Sequence, residues 1–272
     1  MTSLACSHTN SDYFFLRCEW NGCYSCNDAS AISLTNSDSE LKVDVCSFID
    51  CAAQAGCGGA IYLNKINKAT ILESSFLRCR ILSSNFHENG GGSVYMHSIT
   101  TQVLVTLTSF IDSSVPFDGA GVNMWNFKCT LNNYNTFRDC RFIKCTGRAN
   151  NLISYQECYH EGGGIMAYGN EYNISMTNTL FSECSNQWGG GFEMSVPSSF
   201  SSPFIIFCCF YENIADLGND VLTYPNVSQI PFLQCFTTVV SKRLGYSDGR
   251  IDFSYPSADD KWISCHHSKS FK

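Results

Sequence analysis

The sequence predicts an all-β fold: a right-handed single-stranded parallel β-helix, or solenoid, of about seven coils. Three observations predict it. A four-residue motif recurs about every thirty residues, a cluster of small residues and an apolar alternation follow it, and no segment sustains a helical period.

The motif is a Phe, an apolar residue, a charge and a small residue. It reads FLRC at Phe15, FIDC at Phe48, FLRC at Phe76, FIDS at Phe110, FIKC at Phe142, FSEC at Phe181 and FYEN at Phe210. The gaps are 33, 28, 34, 32, 39 and 29 residues. Six copies are followed by GGAIYL, GGGSVYM, GAGVNMW, GGGIMAY, GGGFEMS or GNDVLTY, and the first by DASAISL. Periods of this length mark repeat architectures whose units bury their apolar faces against each other.

Strands come next. LKVDV (41–45), QVLVTL (102–107) and NISM (173–176) alternate apolar with polar residues, as half-buried strands do. Each repeat is then two or three short strands joined by turns, too short for a helix-bearing repeat. In such a coil, equivalent residues lie one above the next at about 4.8 Å. Phe15, Phe48, Phe76, Phe110, Phe142, Phe181 and Phe210 should form one inward stack. Leu16, Ile49, Leu77, Ile111 and Ile143 follow them and should also turn inward, which needs a bulge. Arg17, Asp50, Arg78, Asp112, Lys144, Glu183 and Glu212 should form an outward charge ladder that fixes register. Cys18, Cys51, Cys79, Ser113, Cys145, Cys184 and Asn213 should turn the corner as small residues. After the glycines, Ile32/Leu34, Ile61/Leu63, Val94/Met96, Val122/Met124, Ile165/Ala167 and Phe192/Met194 should point into the core.

The solenoid should span 13–239, with 1–12 an N-terminal tail or cap and 240–272 a C-terminal cap or flexible tail. The 17 Cys among 272 residues are either buried apolar fillers or members of disulfides. A net charge of −7 gives no basic footprint for nucleic acid, and no apolar run is long enough for a spanning helix. The start MTSLACSHTN has neither a basic nor an apolar region of a signal peptide.

Functional candidates sit where the repeat length varies. The spacing from Phe to the glycines grows in RILSSNFHEN (80–89) and TGRANNLISYQECYHE (146–161), so insertions collect at one corner. Phe86, His87, Tyr155, Tyr159 and His160 there are candidates for a binding loop, the alternative being tolerated insertions. No catalytic residue, cofactor or metal is assigned. The acids are scattered, and Cys23–Cys26 is a C-x-x-C without a second pair for zinc. Asn173 and Asn226 match the glycosylation pattern, which is short enough to arise by chance.

GGAI at 58–61, with FHEN (86–89) and FYEN (210–213), resembles the paired motifs of the chlamydial polymorphic outer-membrane protein family. Related cysteine-rich repeats occur in surface proteins of trichomonad-like protists, and the family is similar to pectate-lyase-like (pectin lyase-like) right-handed parallel β-helices. Most copies here carry Cys where the family has Asn. The resemblance implies a non-enzymatic, surface-associated, adhesin-like protein at the cell surface or outside the cell. The partner stays open, a host or cell-surface glycan or protein being the implied kinds. A polysaccharide-active lyase or hydrolase of the same fold and an intracellular protein-interaction module are the competing expectations.

Overall fold

The computed structural model describes residues 12–35, 39–82, 90–116, 119–125, 135–147, 162–168, 174–186, 190–195, 204–215, 221–224, 231–233, 235–237 and 252–254. These residues form an all-β parallel solenoid of twenty-nine strands, and none of them is helical.

One turn shows the plan. Glu40–Asp44 lies in the first sheet, Ser47–Ile49 in the second, Ala52–Ala53 in the third and Ile61–Asn64 in the fourth. The chain then returns to the first sheet at Lys68–Leu72, beside the strand it left. Every strand pairs in parallel with its equivalent one turn away. The four sheets hold nine, eight, five and seven strands. Four sides per turn replace the two or three expected, because a strand of two residues is too short to show an alternation. The third sheet has only five strands and continues through single bridges at Ser185 and Ile214. The four-sided solenoid therefore has about five turns, not seven. Its last strand, Asp252–Ser254, adds to the first sheet from within the stretch expected to be a cap or tail.

An aromatic column fills the centre of the second sheet. Phe48, Phe76, Phe110, Phe142, Phe181 and Phe210 are fully buried. Their rings follow one another at 4.5, 4.9, 4.7, 5.0 and 5.1 Å, within 8° of parallel. The column begins with Trp20, 4.6 Å from Phe48 and parallel to it. Phe15, expected at this place, stands in the first sheet opposite Val43 and meets Trp20 edge-on at 5.5 Å. Cys18 and Arg17 shift with it, so WNGC (20–23) is the true first copy of the motif. FLRC at Phe15 misleads because the first-to-second corner uses the same formula as the second-to-third: an exposed residue, then a small inward one.

Both corners turn on left-handed residues. Asp50, Arg78, Asp112, Lys144, Glu183 and Glu212 all have φ between 51° and 54°. At the other corner Arg17, Val45, Glu73, Leu107, Asp139, Asn178 and Phe207 have φ between 46° and 55°. Left-handed backbone costs an L-residue roughly 1–2 kcal/mol. Here all but Phe207 and Glu212 are seen to donate their N–H to the next turn, as Asp50 does to Leu77 O and Val45 to Leu72 O. The reversal also turns the following side chain into the core. Ile49, Leu77, Ile111 and Ile143 accordingly point outward and are half-buried, contrary to expectation. Simple strand alternation places them there, and no bulge is needed.

The fourth sheet buries Ile32/Leu34, Ile61/Leu63, Val94/Met96, Val122/Met124, Ile165/Ala167 and Phe192/Met194. Gly58, Gly91, Gly119 and Gly162 open these strands at φ between 57° and 72°. A Cβ on Gly58 would lie 2.1 Å from Ile61 O, so Gly is required there.

Truncating the middle of the column, Phe110→Ala, is expected to destabilise the fold by about 3–5 kcal/mol in chemical denaturation. Val45 is 42% exposed and β-branched at a left-handed position. Val45→Asn is expected to stabilise by about 1 kcal/mol in the same assay.

Candidate functional site

The outer face of the third sheet carries a groove of about 530 Å³. Strand register sets its floor. Arg80, Ser114 and Thr146 occupy the same position in three successive turns, after Ala52. Alternation turns Ile81 and Val115 inward, where both are buried, and leaves Arg80 exposed. Asp112 and Lys144, at the left-handed corner, form one wall, and Leu82 and Pro116 lie toward the other.

The sequence-expected loops leave from that second wall. The chain runs from Leu82 into 83–89 and from Gly147 into 148–161, so in chain order the insertions follow a strand of the third sheet and precede one of the fourth. Phe86, His87, Tyr155, Tyr159 and His160 fall outside the described residues, as do Asn173 and Asn226. Arg80–Ile81 and Thr146–Gly147, read from sequence as the starts of insertions, are strands that pair with their neighbours. Arg80, Ser114 and Thr146 were missed for that reason. The available signal was their position, two residues after the charged corner in each copy.

The corner charges pair along the column. Arg78 holds Asp50 through two hydrogen bonds of 2.7 Å, and Lys144 lies 3.7 Å from Glu183. The Arg78 guanidinium keeps the Asp50 carboxyl below its ordinary value. These pairs are solvent-exposed and add little stability. They leave the Arg80 guanidinium with no hydrogen-bond acceptor among the described residues, facing the groove.

Beneath the corners run two columns of small side chains. The second-to-third corner holds Cys23, Cys51, Cys79, Ser113, Cys145, Cys184 and Asn213. The first-to-second corner holds Cys18, Cys46, Ser74, Thr108, Cys140, Thr179, Cys208 and Cys235. Several satisfy backbone groups of adjacent turns: Cys184 N–H donates to Asn213 Oδ1 at 3.0 Å, and Cys46 N–H to Ser74 Oγ at 3.1 Å. Thiols bond the same way, Cys140 Sγ to Val105 O at 3.4 Å and Cys79 Sγ to Phe48 O at 3.5 Å. Twelve described cysteines are free thiols, while Cys209, on the outer face of the second sheet, is disulfide-bonded.

Burial pushes the Cys140 thiol up to about 12 and lifts Cys79, Cys145 and Cys208 well above the ordinary thiol value. Cys51 and Cys235 lie below it, because neighbouring thiols donate hydrogen bonds to them. Cys23 turns inward while Cys26 stays exposed, so the C-x-x-C does not converge. Among the described residues no three His, Cys, Asp or Glu side chains gather as a metal-binding group.

No protein-family model, curated protein or solved structure matches the chain. No helix of the described residues is long and apolar enough to cross a membrane.

The Cys140 shift fixes a pH dependence. Its folded value, about 12, lies above the ordinary 9.0, so between these pH values the unfolded chain has lost a proton that the folded chain keeps. Stability present below pH 9 should decline toward pH 12, with Cys140 contributing about 1.4 kcal/mol per pH unit. Urea midpoints across that range should show a shallower decline in Cys140→Ser.

Proposed function

We propose that the protein is a non-enzymatic β-solenoid scaffold, displayed at a cell surface, that binds a host or cell-surface glycan along the third sheet. The groove carries this reading. Arg80, Ser114 and Thr146 stand in single file along the solenoid axis, flanked by Asp112 and Lys144. A guanidinium and two hydroxyls at successive turns offer donors and acceptors to a hydroxyl-rich chain lying across the strands. The variable segments 83–89 and 148–161 begin at the groove's edge, where sequence differences would alter selectivity without disturbing the coil. The winding is taken as right-handed, as crossovers between parallel strands almost always are. The motif resemblance to polymorphic outer-membrane proteins supports surface display and an adhesin-like role.

Asp112 is the single carboxylate among the groove's described lining residues, whereas glycoside hydrolysis ordinarily uses two flanking carboxylates. That favours binding without cleavage over a polysaccharide-active lyase or hydrolase. The free, buried thiols favour a second reading, an intracellular protein-interaction module using the same groove.

On a glycan array the purified chain is expected to retain at least one glycan class, and Arg80→Ala to weaken it by roughly tenfold or more. Binding to no glycan, or binding indifferent to Arg80→Ala, would contradict the proposal. Shortened products released from a bound polysaccharide would establish an enzyme instead.

A further inference from the structure

Arg80 is the one charged residue in its file on the third sheet. Strand register places Ala52, Arg80, Ser114 and Thr146 at one position in successive turns, and a single bridge extends the file to Ser185. Beside that file runs the corner column, whose charges alternate in sign: Asp50, Arg78, Asp112, Lys144 and Glu183. Its two cations are already engaged, Arg78 with Asp50 at 2.7 Å and Lys144 with Glu183 at 3.7 Å. The Arg80 guanidinium has no acceptor among the described residues, so it is the cation that the groove presents. It stands at one end of the hydroxyl run, on the side of Arg78. Beyond it the neighbours change sign: Asp112 precedes Ser114 by two residues, and Glu183 precedes Ser185 by two.

From this asymmetry we infer that the groove takes a glycan whose single negative charge lies on a terminal sugar, with that sugar's carboxylate on Arg80 and neutral sugars over Ser114 and Thr146. The inference rests on the glycan reading above and names the class of glycan. A guanidinium meets a carboxylate with two parallel N–H donors, and such charge-assisted pairs are about twice as strong as neutral ones. The sugars that follow need only hydroxyl partners. Ser114 and Thr146 supply them, one per turn at a step of about 4.8 Å. The groove, about 530 Å³, is of small-ligand size. A polymer with a carboxylate on every ring is disfavoured. Past Arg80 its charges would approach Asp112 and Glu183, and like charges held close repel. The alternating corner column thus selects against polyanions, while Arg80 selects for one anionic end.

The test is a titration of the full chain, followed by nuclear magnetic resonance, with lactose, sialyllactose and trigalacturonate. Sialyllactose carries one carboxylate, on its terminal sugar, and trigalacturonate carries one on every ring. Sialyllactose is expected to bind roughly tenfold or more tighter than either of the others. Arg80→Ala should abolish that preference and leave lactose binding unchanged. Ser114→Ala should weaken lactose and sialyllactose by the same factor. Both side chains lie on the outer face, and circular dichroism establishes that each variant keeps its strands. Equal affinity for lactose and sialyllactose, tighter binding of trigalacturonate, or a preference that survives Arg80→Ala would overturn this assignment and leave a glycan-binding groove standing. Binding of none of the three would also overturn it, and the glycan reading falls with it only if the array is silent too.

Discussion

In-register stacking of one turn on the next is the constraint on which the rest of this molecule depends. The aromatic column from Trp20 to Phe210 shows it most directly, with each ring 4.5–5.1 Å from the last. A parallel sheet has no hairpin turn to fix its register, so burial must do it. Slipping a strand by one residue would expose the ring and bury Ile49 or its equivalents. Slipping by a whole turn would upset the pairing of Asp50 with Arg78 and of Lys144 with Glu183.

The corners carry that register around the coil. A left-handed residue reverses the chain, its N–H bonds the next turn, and the residue after it drops into the core. That inward residue must be small and must satisfy backbone groups, which explains why Cys, Ser, Thr and Asn interchange within one column. Cysteine enrichment in this chain is thus first a packing solution, and burial keeps most of those thiols protonated. Cys51 and Cys235 differ, each held below the ordinary thiol value by the thiol of the neighbouring turn. The groove depends on the same geometry, since Arg80, Ser114 and Thr146 align only because the turns beneath them do.

Much of this was legible in the sequence. The Phe spacing predicted the column from Phe48 onward, and the glycine clusters predicted the inward pairs of the fourth sheet. Phe15 was misplaced because two corners share one formula and Trp20 does not look like Phe. The outward Ile column was misread because an apolar residue beside a buried Phe suggested a bulge, when alternation sufficed. Left-handed charged residues could not be anticipated, since Arg, Lys and Glu seldom adopt that backbone. The groove was hidden for another reason: a strand of two residues has no period to detect, so Arg80–Ile81 and Thr146–Gly147 merged with the insertions after them.

The central claim concerns which aromatic rings touch. Nuclear Overhauser spectroscopy on chain with labelled phenylalanine rings tests it most directly. The account predicts contacts from Phe76 to Phe48 and to Phe110, continuing stepwise to Phe210, with none between Phe48 and Phe110. Phe48, Phe76 and Phe110 in separate clusters, without mutual contacts, would contradict the solenoid and the groove built on it.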